Sequence, residues 1–216
     1  MTEKAEKRGF LMPFVLFCLF HFILILSTTF LLVTDDIYYN ALGDQLTFER
    51  INEIIDANKK WSWVVYPAIP LIYLFKFFLV VICLSAGAFL FHLEPSLKHL
   101  FKIALLAEFI FLLPPLIRLF WFSFINVNFA LSDLQFFSPL SAINLFDRTA
   151  LEPWLVYPLS LVNLFEVAYV VTLSYLLAKI LESSFMQSLK LVVLSYGTGL
   201  LIWVLFITFL TVSLSV

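Results

Sequence analysis

Charge is what this chain has least of. Its 216 residues include 13 lysines and arginines and 15 aspartates and glutamates, or 13% charged against 62% hydrophobic. A soluble domain has about a quarter of its residues charged, because its surface must face water. A water-exposed fold of this composition would carry apolar patches well beyond the roughly 300–600 Å² found on monomers. Cysteine is scarce too. Cys18 and Cys83 cannot make a disulfide framework, and both fall inside apolar runs, where a free thiol behaves as a small hydrophobe. The three histidines offer no metal-binding spacing: His92 and His99 flank "LEPSLK", which is not HExxH, and His21 stands alone as a packing residue. Neither GxxxxGK[ST] nor GxGxxG occurs, which removes the usual ATPase and dinucleotide chemistry. No GxSxG elbow is present, and no basic stripe suggests nucleic acid. No cofactor and no metal are expected.

Long hydrophobic runs are what the chain has instead. Its mean hydropathy is +1.02, and several runs reach the roughly 20 residues needed to cross about 30 Å of hydrocarbon. Barrel strands would alternate polar and apolar residues over about ten positions. "FVLFCLFHFILILSTTFLLV" does not alternate, and unpaired backbone is too costly in lipid, so these runs are helices. The expected fold is all-α: one polytopic transmembrane bundle over 1–216 with five spans, 10–33, about 64–91, about 100–125, 154–178 and 189–212. The first run follows Lys4, Lys7 and Arg8 but exceeds the apolar core of a signal peptide, so it is a retained helix. Pro67 and Pro70 predict a turn or kinked extension before the second span. Pro114-Pro115 should push Leu113 away from helical dihedrals, which also leaves a re-entrant hairpin open for the third.

Alternating spans put Lys4, Lys7, Arg8, Lys98, Lys102, Lys179 and Lys190 on one side, against Glu3, Glu6, Glu94 and Glu182. The other side has Arg50, Lys59, Lys60 and Arg148 among nine acids. The bias predicts a multi-pass protein of the cell membrane with its N-terminus cytoplasmic and its C-terminus outside. Trp61, Trp63, Trp121 and Trp154 fall near span boundaries, where amphipathic rings prefer to sit. In "TFERINEIIDANKK", Phe48, Ile51, Ile54 and Ile55 recur at helical spacing behind a capping Thr47. In "SPLSAINLFD", Ser138 and Pro139 predict a second short interfacial helix with Leu140, Ile143 and Phe146 as its apolar stripe.

Lys76, Glu108, Arg118 and Glu166 lie inside spans and sum to zero. An unpaired charge at the bilayer centre costs about 2.5–3.5 kcal/mol on insertion scales. Glu108 and Arg118 are ten residues apart, roughly 80° off a common helix face. Pairing between helices is therefore expected, with Arg118 or Lys76 meeting Glu166 or Glu108, although Arg118 could also snorkel to the headgroups. Lys76 and Glu166 are the central pair by depth. Asn163 and Tyr169 stand three residues either side of Glu166 and give helix four a polar flank. That flank suits either a small cavity for an ion, headgroup or proton path, or a hydrogen-bonded network that fixes packing. In "SYGTG", Ser195, Gly197 and Gly199 form a small surface for close helix approach, within the chain or between copies.

The stretch 138–212, "SPLSAINLFD" through "YPLSLVNLFEVAYVVTLSYLLAKI" to "LKLVVLSYGTGLLIWVLF", resembles the C-terminal part of the Yip1-domain membrane proteins. There, a penultimate helix near an "NLF"-like phrase leads through a basic turn to a last apolar helix. The resemblance implies five helices and no established enzyme activity; associating with other membrane proteins or organising the bilayer is the role expected of a chain with four intramembrane charges and no recognisable chemistry. The DLYGP-type signature of eukaryotic members is absent, so contact with small GTPases does not carry over. The leading expectation is accordingly a non-enzymatic integral membrane protein. A small transporter or channel component using Glu166 and Lys76 is the alternative, followed by an intramembrane enzyme using Glu108 and Glu166. Expected partners are membrane lipids and another membrane protein or a second copy.

Overall fold

The computed structural model describes residues 2–147 and 151–214; Arg148, counted above among the outer charges, lies outside them. The described residues are all-helical, with no strand. Among the described residues five helical stretches are long and apolar enough to cross a membrane: Leu11–Leu32, Phe48–Leu90, Leu97–Ile125, Leu164–Leu181 and Phe185–Leu214. Their outward faces are greasy: Leu201, Ile202, Leu205, Phe206 and Phe209 are each more than half exposed. Such a surface is stable against lipid, not water.

The chain divides into two compact units, residues 1–74 with 112–137, and 75–111 with 138–216. In the first unit, α1 (Thr2–Leu32) leads through α2 (Asp35–Leu42) to α3 (Phe48–Trp61). Thr47 caps α3 by accepting from Arg50 N–H, and Ile51 and Ile55 bury its apolar face. Phe48 stacks on Tyr39 with ring centres 5.1 Å apart. A 3₁₀ turn, Ser62–Val64, joins α3 to α4 (Val65–Leu90). Pro67 sits in the first turn of α4, where its missing N–H is harmless. Phe17 meets Tyr73 edge-on at 4.7 Å, and the Tyr73 hydroxyl lies 3.3 Å from the His21 ring nitrogens, so His21 is a packing residue.

Pro114-Pro115 does not bend the third span into a hairpin. A 3₁₀ turn at Phe109–Leu112 takes up the steric conflict, and both prolines fall in the opening turn of α6 (Leu113–Phe120). Leu113 stays helical, contrary to the expected displacement. A π-helix at Trp121–Ile125 completes this run. Beyond it, Leu134 of α7 (Leu131–Phe136) closes a cluster with Leu32 and Phe122.

The second unit is built from the rest of α4, α5 (Leu97–Glu108), α8 (Pro153–Leu161), α9 (Leu164–Leu181), α10 (Phe185–Val192) and α11 (Thr198–Leu214). A π-helix, Val193–Gly197, links the last two. Buried residues recur at helical spacing: Phe77, Val80, Val81, Leu84 and Ala88 on α4; Leu100, Ile103, Ala104 and Ala107 on α5; Tyr169, Leu173 and Leu177 on α9. Those stripes face one another as a core. Glu182 ends α9 in the left-handed region at φ 49°, and Ser184 with Gln187 forms a capping box for α10. These two devices make the reversal three residues long.

Two predicted elements are corrected. The span 154–178 is not one helix: α8 ends at Leu161, Val162 leaves helical geometry, and Asn163 starts α9 as its cap. The helix expected from Ser138 begins instead behind Ser141, as a 3₁₀ turn over Ala142–Leu145. Ser141 has its own acceptors for its hydroxyl, Leu159 O at 2.8 Å and Ser160 O at 3.1 Å, which pin it to the end of α8. Of the predicted stripe only Ile143 is buried; Leu140 and Phe146 are exposed.

Candidate functional site in the second unit

The helix break is where the site is made. Asn163 Oδ1 accepts from Glu166 N–H at 2.8 Å, and its amide donates to Ser160 O at 2.9 Å. A chain break leaves orphan backbone groups, which are costly wherever water cannot reach them. Here an extended segment supplies them: Ser141 and Asn163 form an antiparallel bridge, Ala142 N–H donates to Val162 O at 2.8 Å, and Leu164 N–H to Leu140 O at 3.1 Å. Residues 138–145 thus fill a gap in the wall of the unit.

The break is level with the buried charges. Tyr196 donates to Glu166 Oε1 at 2.7 Å, and Trp203 Nε1 donates to Tyr157 at 2.8 Å. At 1.5 Å per residue these contacts lie about 17 and 27 Å from the Phe185 end of the last helix. The Val162–Asn163 gap falls between them. Counted likewise, Glu108 is about 17 Å from the start of α5, and Tyr169 about 18 Å from the end of α9. Glu108, Tyr169 and Tyr196 thus lie about 17–18 Å from the helix ends joined by the turns at 91–96 and 182–184, with Glu108 closing α5 and Tyr169 in the second turn of α9.

Lys76 of α4 is the cation of this layer. Its Nζ donates to Glu108 Oε1 at 2.5 Å, 4.1 Å from the centre of the Phe111 ring and 5.6 Å from that of Tyr169. The Lys76 side chain is 37% exposed, whereas that of Glu108 is fully buried. Glu108 Oε2 and the Tyr169 hydroxyl are both buried and neither completes a hydrogen bond, although the two groups interact. Glu166 is within electrostatic reach of both Lys76 and Glu108. The Tyr169 and Tyr196 rings meet edge-on at 5.4 Å. The layer therefore holds one ammonium, two carboxylates and two phenols.

Of the residues singled out in the sequence, Lys76, Glu108, Asn163, Glu166 and Tyr169 come together. Arg118 does not join them: it belongs to the first unit, where its Nε is buried without an acceptor and no described carboxylate is in ion-pair range. Ser195 and Gly199 pack inside the chain. A Cβ on Gly87 would lie 2.5 Å from Ser195 Cβ, and one on Gly199 would lie 2.5 Å from Cys83 Sγ. These two contacts, four residues apart on each helix, are a small-residue seam. Gly197 is not part of it, since its nearest neighbour is its own helix's Val193 at 4.0 Å. Tyr196 was missed, although it sits inside the quoted "SYGTG". Ser141 was overlooked beside the stronger-looking Ser138-Pro139.

Among the described residues no three His, Cys, Asp or Glu side chains stand close enough to hold a metal ion. The first unit has a half-open hollow of about 670 Å³ lined by Leu32, Asp36, Ile37, Asn40, Asn128 and neighbours, with Asp36 its only charged wall. No protein-family model, curated protein or solved structure matches the chain. The resemblance to Yip1-domain proteins gains no support from these comparisons.

Proposed function

We propose that this chain is a small transport or channel component of the cell membrane, working through the polar layer of Lys76, Glu108 and Glu166. The observation that carries this reading is the break in the fourth helix at the depth of those charges. Discontinuous helices put polar backbone and side chains near the bilayer midplane, where transporters hold their substrates. Irregular backbone is stable there only when covered by protein or facing a polar cavity. A network needed solely for packing has no requirement for such a break. The lysine and arginine bias orients the N-terminus to the cytoplasm and the C-terminus outward.

Reconstituted vesicles test this. Flux of protons or small cations should exceed that of empty vesicles and fall at least tenfold in Glu166→Gln and in Lys76→Met, provided both remain monodisperse. Equal flux in wild type, variants and empty vesicles would end the proposal. A second reading has its own observation, the buried Arg118 Nε without an acceptor. A non-enzymatic, Yip1-like role in binding a neighbouring membrane protein would supply an acid there. Arg118→Gln should then release a co-purifying protein, and a wild-type chain that purifies alone from native membranes would count against that role.

A further inference from the structure

We infer that the polar layer of the second unit is a proton site, holding one exchangeable proton shared between Glu108 and Glu166. Its use rests on the transport reading; its existence does not. The ionisable groups that meet in the layer come from four elements: Lys76 from α4, Glu108 from α5, Glu166 and Tyr169 from α9, and Tyr196 from the π-helix. Two carboxylates against one ammonium leave a surplus negative charge. Burial penalises that surplus heavily unless something neutralises it.

The neutralising species must suit a place with little room and few ligands. A metal cation demands a shell of several oxygens, and here it would sit beside the Lys76 ammonium, 2.5 Å from Glu108 Oε1. A proton needs neither shell nor cavity. It also accounts for the two orphaned atoms, Glu108 Oε2 and the Tyr169 hydroxyl, both on fully buried side chains. With the proton on Glu108, Oε1 still accepts from Lys76, while Oε2–H donates to the Tyr169 oxygen. Tyr169 is then free to donate towards Glu166. With the proton on Glu166, Tyr169 turns its hydroxyl to Glu108 Oε2.

Transfer between these states moves two protons in concert. For this the Tyr169 hydroxyl, bonded to neither acid in the structure, must swing within reach of Glu166; Glu108 then gives its proton to the Tyr169 oxygen as Tyr169 passes its own to Glu166. One O–H bond breaks and one forms at each step, and Tyr169 stays a neutral phenol. Tyr196 keeps Glu166 Oε1 occupied throughout.

Infrared spectroscopy of the full chain in phosphatidylcholine nanodiscs tests the charge count. At neutral pH the protonated-carboxyl stretch should correspond to one acid per chain, shift in D₂O, and ignore the exchange of potassium for sodium. Either Glu108→Gln or Glu166→Gln should abolish it, because each restores balance with Lys76. Lys76→Met should double it. A lone buried acid unconnected to its neighbours would lose the band in one glutamine variant only. That result, absence of the band in wild type, or its loss on adding sodium would each overturn the inference. If one variant fails to give a monodisperse peak on size exclusion, the other two still fix the count. A normal band with no proton flux would leave the site standing and remove the transport reading instead.

Discussion

Gly87→Ala probes one of the two close glycine contacts in the second unit. The added methyl would sit 2.5 Å from Ser195 Cβ and 3.1 Å from Leu191 Cδ2. Carbon pairs are comfortable at about 3.5–4.0 Å, so the two helices must separate by roughly 1 Å. The first obstacle is a Cβ, which cannot rotate away. Overpacking of this kind costs about 1–3 kcal/mol. Ser195→Gly alone should cost under about 1 kcal/mol, the usual effect of a helix-interior glycine. The serine hydroxyl bonds only back to Leu191 O in its own helix, at 2.8 Å. The double variant removes the collision, so its loss should be at least about 1 kcal/mol smaller than the sum of the singles. Unfolding in detergent micelles, followed by far-ultraviolet circular dichroism, measures all four chains. Strict additivity, or a Gly87→Ala chain as stable as wild type, would refute the seam.

Other substitutions test the layer and the break. Asn163→Ala removes the α9 cap and should cost about 1 kcal/mol in the same assay. Tyr196→Phe strips the donor from Glu166 Oε1, a loss of about 1.5–3 kcal/mol for a bond to a charged group. Lys76→Met leaves Glu108 buried without its ammonium. The cost should be about 3 kcal/mol, the low end for a broken buried pair because Lys76 is partly exposed. That cost should shrink as pH falls towards the carboxylate range, because the folded variant holds both buried acids protonated while the unfolded chain ionises them at neutral pH.

Length and hydropathy located four of the five apolar stretches, because crossing hydrocarbon demands an unbroken apolar run, although the second begins at Phe48 and not near residue 64. The same logic hid the break in the fourth. "LVNLF" contains neither glycine nor proline and looks like continuous helix. The available signal was N-x-x-E at Asn163–Glu166, a capping pattern that a polar flank explained equally well. The amphipathic α3 was legible because Thr47 and the isoleucine spacing agree. The partner of Lys76 was not, because the rotation of one helix against another depends on the turn at 91–96. Small-residue spacing pointed to Ser195 and Gly199 but not to the facing Cys83 and Gly87, whose own four-residue spacing becomes meaningful only when the helices cross.

Disulfide trapping across the helix break decides most directly whether residues 138–145 fill a gap level with the charges. Ser141 and Asn163 face each other as a non-hydrogen-bonded antiparallel pair, for which Cα atoms lie about 4.5 Å apart, within disulfide reach. In membranes holding a Cys18→Ala/Cys83→Ala background, Ser141→Cys with Asn163→Cys should cross-link rapidly under mild oxidant. Ser141→Cys with Val170→Cys, about 10 Å further along α9, should not. Failure of the first pair, or equal trapping of both, would contradict a broken fourth helix and the site built on it.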